Sequence, residues 1–183
     1  MLDPVKASDA TDFMAMWQDE SFARDAGIEA THDLQSLTKA LERFAQLNAS
    51  GLFFKWCIRL KEPRSFIGEI EVYPLKLQTS PWLEWGIGYS LARNYWGQGL
   101  MREAIELALN YLFQESLAQR IRADVGPENQ RSQHLLRRLG FRLEGLQEAK
   151  NLIHGKPVDM QLWAISQMRY FDSVRTSKSA KNA

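Results

Sequence analysis

Leu91-Ala92-Arg93-Asn94-Tyr95-Trp96-Gly97-Gln98-Gly99-Leu100-Met101-Arg102-Glu103-Ala104 is the stretch from which the rest of the chain can be placed. Upstream, Leu83, Trp85, Ile87, Tyr89 and Leu91 alternate with Glu84, Gly86, Gly88 and Ser90, which is the period of a strand. Downstream, Ala104, Ile105, Ala108, Leu109 and Leu112 recur at helical spacing and predict a helix from Leu100 to about Glu115. Gly97 and Gly99 stand at the junction, where glycine allows positive φ and close approach to bare backbone. A helix N-terminus directly behind them offers N–H groups and a positive dipole end to a phosphate or pyrophosphate. A tight turn into a surface helix would use the same residues. A dinucleotide fingerprint is excluded because position 102 is Arg102, and a P-loop because no Gly-Lys-Ser/Thr follows.

With 183 residues, the chain predicts one domain over 1–172 and a disordered basic tail over 173–183. Hydrophobic residues at 45% and charged residues at 25% are ordinary for a globular protein. A net charge of +1 gives no reason to expect nucleic acid or a membrane surface as a partner. One cysteine, Cys57, allows no internal disulfide, and a cytoplasmic location is expected. No signal peptide is expected, and no apolar run reaches the length of a membrane span.

In chain order, Met1–Lys6 can supply a strand stub, and Ser8 or Asp9 caps a short helix over Ala10–Asp19. Glu20–Thr31 reads as a loop. Asp33–Asn48 is amphipathic through Leu34, Leu37, Leu41, Phe44 and Leu47. Phe54, Trp56, Ile58 and Leu60 alternate with Lys55, Cys57 and Arg59 as a half-buried strand, and Phe66, Gly68, Ile70 and Val72 share one face of the next. Small residues on one face of the strand through Trp85 mark a close approach. Arg120–Val125 is a strand, Gln130–Leu139 a helix ended by Gly140, and Leu143–Leu152 with Val158–Ile165 a final hairpin. The expected fold is α+β, a mixed sheet with helices on both faces.

Three groups of residues, in order over about 83–165, resemble the GNAT N-acetyltransferase superfamily, and in detail its RimJ/RimL-like branch of ribosomal-protein N-terminal acetyltransferases. They are Gly88-Tyr89-Ser90-Leu91 with Tyr95-Trp96-Gly97-Gln98-Gly99-Leu100 and Glu103-Ala104; Asn129-Gln130-Arg131-Ser132 with Leu139-Gly140-Phe141; and Leu143-Glu144-Gly145 with Val158-Asp159. The resemblance implies a central, mostly antiparallel twisted sheet of six or seven strands with a V-shaped splay between the fourth and fifth. It implies acetyl-CoA as co-substrate, pantetheine along Tyr89, Ser90 and Leu91, and pyrophosphate on the amides of Trp96, Gly97, Gln98, Gly99, Leu100 and Met101. Asn129 matches the position that holds the pantetheine arm, and Ser132 the one that assists the departing thiolate. Asn94 stands where the superfamily usually has Gln or Arg, with Arg93 and Arg102 nearby.

Acetyl transfer to an amine needs a deprotonated amine, close positioning, an oxyanion donor and a proton for the thiolate. An α-amino group, with pKa ~7.7–8.0, loses its proton at neutral pH for about 1 kcal/mol, and a lysine for about 4–5 kcal/mol. An N-terminal acceptor therefore needs only a weak base. Glu84 and Glu148 are candidate bases, and each also fits a solvated strand carboxylate. Ser132 and Asn129 fit local capping as well. Cys57 is not expected to be a nucleophile, and His32, His134 and His154 have no metal-ligand spacing. The expected function is acetyl-CoA-dependent acetylation of a protein or peptide N-terminus, by a monomer or homodimer, with substrate entering by the Glu20–Thr31 loop and the Leu146–Val158 hairpin. Alternatives are a small-amine acetyltransferase (polyamine, amino acid, antibiotic) and a non-catalytic acyl-CoA-binding module.

Overall fold

The computed structural model describes residues 1–18, 33–75, 84–115, 118–153 and 155–181. The expected loop over 20–31, together with His32 and His154, lies outside them. The strands are β1 (Leu2–Pro4), β2 (Phe54–Arg59), β3 (Phe66–Pro74), β4 (Glu84–Leu91), β5 (Arg120–Val125), β6 (Arg142–Ile153) and β7 (Lys156–Ser166). Five α-helices are described: α1 (Ala10–Trp17), α2 (Leu34–Ser50), α3 (Leu100–Gln114), α4 (Gln130–Arg138) and α5 (Gln167–Lys181). The sheet order is β1-β2-β3-β4-β5-β7-β6. β2 pairs antiparallel with β1 and with β3, and β5 antiparallel with β7. β4 and β5 are parallel, in register only from Glu84↔Arg120 to Gly86↔Arg122. This mixed α+β architecture agrees with the class expected from the sequence. The chain forms two compact units, one of 1–73, 88–107 and 153–156, the other of 74–87, 108–152 and 157–183.

The first unit is built around β2. Asp33 caps α2 by accepting from the Ser36 N–H at 3.0 Å, and Gly51 ends the helix at φ 70°. Leu37 and Leu41 of α2 then bury against Val5, Ala10, Phe13 and Cys57. Asp9 turns the chain into α1 by accepting from the Lys6 N–H at 2.8 Å, and its other oxygen accepts from Arg59 Nη2 at 2.7 Å. The half-buried β2 expected from its alternation is buried on both faces from Phe54 to Ile58. The polar side chains are enclosed because each has a charged neighbour, and burial of an unpartnered charge would be prohibitive. A register shift at Ile58/Arg59 sets Phe66 opposite Arg59, so its ring packs on Phe13 at 4.9 Å instead of following the alternation of Gly68, Ile70 and Val72.

The second unit buries Trp85, Leu109, Leu112, Phe113, Ile121, Leu136, Trp163 and Ile165. Gly140 at φ 88° ends the turn after α4, as expected from Leu139-Gly140-Phe141. Residues 173–181 are helical and continue α5. Ser166 Oγ accepts from the Arg169 N–H at 3.3 Å, and Tyr170 and Phe171 pack on Phe113 at 5.4 and 6.4 Å. A helix anchored by its first turns propagates through a segment without Gly or Pro.

Candidate functional site

The glycine turn lies wholly in the first unit. After β4, Arg93–Tyr95 makes one 3-10 turn, and Trp96 Nε1 donates to the Leu91 carbonyl at 2.6 Å. The Arg93 guanidinium lies 5.1 Å from the centre of the Trp96 ring. Gln98 Nε2 donates to the Asn94 carbonyl at 3.0 Å, so this side chain braces the loop from inside. Gly97 and Gly99 have φ of 74° and 78°, and a Cβ on either would meet nothing within 4 Å. Glycine is thus required here by conformation, and it leaves open space above the backbone. The Glu103 N–H bonds the Gly99 carbonyl at 3.1 Å, so the N–H groups of Leu100, Met101 and Arg102 precede the first intrahelical bond. Together these features fit a pyrophosphate. Of the two arginines near Asn94, Arg102 pairs with Glu106 at 2.9 Å and Arg93 lies on Trp96.

Half of the small-residue face of β4 has a structural cause. A Cβ on Gly88 would stand 3.1 Å from Glu71 Oε1, so the missing side chain makes room for that carboxylate. Ser90 Oγ donates to Glu69 Oε1 at 3.1 Å. Lys55 Nζ donates to Glu71 Oε2 at 3.0 Å and pairs with Glu69. That ammonium also lies 5.2–6.0 Å from the ring centres of Phe13, Trp17 and Phe44. Burial alone would lower the Lys55 pKa, but the two carboxylates outweigh it and hold the pKa above its ordinary value. Sequence reasoning missed this cluster, because Lys55, Glu69 and Glu71 sit at alternating positions that read as solvated strand faces. The small residues at 88 and 90 were its only trace. Tyr89 is half-buried and Leu91 buried. Cys57 is fully buried and donates from Sγ to Asp9 Oδ2 at 3.2 Å; burial first, then the Asp9 charge, push its thiol pKa far up. It stays a protonated thiol.

In the second unit, Glu84 accepts from Arg120 Nε at 2.9 Å. The same guanidinium donates through Nη1 to Glu144 at 2.8 Å and pairs through Nη2 with its other oxygen. These bonds hold the Glu144 carboxyl below its ordinary range and the guanidinium pKa above its own. Glu84 is thus an ion-pair partner across the β4–β5 ladder. Glu148 is exposed on β6, and Asp159 Oδ1 accepts from the neighbouring Ala149 N–H at 2.9 Å. Asn129 caps α4, its Oδ1 accepting from the Ser132 N–H at 3.0 Å, while its Nδ2 is a donor that this cap bond does not use. Ser132 is half-buried in the first turn of the same helix. Among the described residues no His, Cys, Asp or Glu group could hold a metal ion, and no helix is long and apolar enough to cross a membrane.

Comparison with known proteins adds what geometry leaves open. Residues 1–142 match the Acetyltransferase (GNAT) domain. The chain is 27% identical over 166 residues to an uncharacterized N-acetyltransferase, p20, of Bacillus licheniformis, covering 91% of this chain and 92% of that one. It is 40% identical over 80 residues, 44% of this chain and 41% of the other, to the ribosomal protein uS5-alanine N-acetyltransferase of Escherichia coli. The fold is shared with spermidine N-acetyltransferase of Vibrio cholerae in complex with CoA and spermine, with TM-score 0.79, 19% identity, and 93% and 97% of the two chains covered. Since the family's domain accounts for most of its length, the chain belongs to the GNAT acetyltransferases and is an N-acetyltransferase with acetyl-CoA as its acyl donor.

Proposed function

We propose that the acceptor is a protein or peptide N-terminal α-amino group, as in the RimJ/RimL-like branch. The observation that carries this is the state of the two candidate bases. Glu84 is held by Arg120, and Glu148 is exposed on a strand, so neither is placed to strip a proton from a strongly basic amine. An α-amine that deprotonates for about 1 kcal/mol does not require one. The partial match to a ribosomal-protein alanine acetyltransferase supports the same acceptor class. In this proposal acetyl-CoA supplies a thioester carbonyl open to attack by an amine. The amides behind Gly97–Gly99 hold its pyrophosphate, and Tyr89–Leu91 offer backbone groups along β4. Ser132 is the candidate proton source for the leaving sulfur, and Asn129 Nδ2 the candidate contact to the pantetheine arm.

The test is a thiol-release assay with acetyl-CoA and three acceptors: a peptide with a free N-terminus and no lysine, the same peptide Nα-blocked with an added lysine, and spermidine. Mass spectrometry locates the acetyl group. Acetylation confined to the free N-terminus is expected. Turnover of spermidine with none on the free peptide would replace this acceptor with a small amine.

A further inference from the structure

We propose that Glu71 is the residue that receives the acceptor's ammonium group, through Oε1, beside Gly88 on β4. This rests on the acetyltransferase reading and adds an acceptor-side residue to it. Lys55, Glu69 and Glu71 carry two negative charges against one positive, and the cation is the most enclosed of the three. Lys55 and Glu69 side chains are 4% and 10% exposed, whereas that of Glu71 is 36% exposed. Lys55 Nζ holds Oε2 of Glu71, which fixes the carboxylate and aims its remaining charge. Oε1 then lies in the space left by the absent Gly88 side chain, 3.1 Å from where a Cβ would stand. Gly88 directly precedes Tyr89–Leu91, the backbone proposed for the pantetheine arm, so the carboxylate and that segment share one end of β4. Ser90, in that segment, is tied to Glu69, which links the same backbone to the same charge cluster.

The chemistry fits a single ammonium that is bound in this form and passes its proton to solvent before its nitrogen attacks, a step that an α-amine makes far more readily than a lysine. One carboxylate in excess of its cations matches a monoamine such as a chain N-terminus, whereas a polyamine presents several positive charges. The neighbouring acids Asp3, Asp9 and Asp12 are no reserve for such a ligand, since all three face Arg59.

The experiment is steady-state kinetics of wild type, Glu71→Gln and Glu71→Asp, with the free-N-terminus peptide and with acetyl-CoA varied separately. Thermal melting checks that the variants fold. Glu71→Gln should raise the peptide KM tenfold or more and leave the acetyl-CoA KM within twofold, and Glu71→Asp should recover part of the loss. An unchanged peptide KM in folded Glu71→Gln, with wild type active, would overturn the assignment and leave the acetyltransferase reading intact. Calorimetry of the acetylated and free peptides on wild type loaded with CoA provides a readout independent of turnover. Wild type that neither turns over nor binds any amine would overturn both readings.

Discussion

Gly97 and Gly99 set the demands at the scale of one residue. Both hold φ in the left-handed region with no neighbour where a Cβ would go, so the cost of a side chain is conformational and not a collision. Left-handed backbone costs an L-residue roughly 1–2 kcal/mol, which the loop could relieve only by rotating its amides away. Gly99→Ala should therefore weaken acetyl-CoA binding by tenfold or more in calorimetry, with a modest drop in melting temperature. Retained affinity would mean that the pyrophosphate does not depend on this backbone. Asn94 lacks the reach of Gln or Arg, yet its carbonyl anchors Gln98, so its backbone takes part in shaping the turn.

At the scale of elements, α4 separates two roles that one residue can play. Asn129 caps the helix through Oδ1, and loss of such a cap costs about 1 kcal/mol, or roughly 2–4 °C in a chain of this size. Asp caps as well as Asn but has no Nδ2 donor. Asn129→Ala should lower the melting temperature and raise the acetyl-CoA KM, whereas Asn129→Asp should keep stability and raise only the KM. Equal KM values for Asn129→Asp and wild type would reduce Asn129 to a cap. The elements were largely legible in the sequence: the α2 stripe, the β4 alternation, the Gly140 ending and the helix after Gly99 follow from local periodicity. What was hidden depended on distant neighbours. Strict alternation cannot report the register shift at Ile58/Arg59 that turns Phe66 to the other face. Nor can it report that Lys55 is 3% exposed, because the carboxylates that make this tolerable come from β3. Glu84 was legible as a carboxylate on a small-residue face, but its partner Arg120 lies 36 residues away. Tyr170 of α5 finds its ring partner Phe113 in a different part of the chain.

For the whole molecule, stability against pH follows from groups in both units. Glu144 is held below its ordinary value near 4.5, so its contribution is fully present above that pH and is lost as pH falls through the folded value. Lys55 is held above its ordinary 10.5, so its contribution is fully present below that pH and is lost as pH rises through the folded value. Urea midpoints should therefore fall at both extremes, and Glu144→Gln should flatten the acid side only. An acid limb of unchanged steepness in Glu144→Gln would remove the Arg120 pair from this account.

Gly68 bears on how freely this chain can drift. A Cβ there would stand 2.3 Å from the Ser90 carbonyl oxygen and 3.0 Å from Leu91 Cα, which are main-chain atoms with nowhere to go. At Gly88 the obstacle is the flexible side chain of Glu71, which can swing aside. In a library of every substitution, position 68 should be empty among folded proteins. Position 88 should admit alanine among the folded and lose it among the active, so the two glycines mark separately where the sequence is held by architecture and where by use.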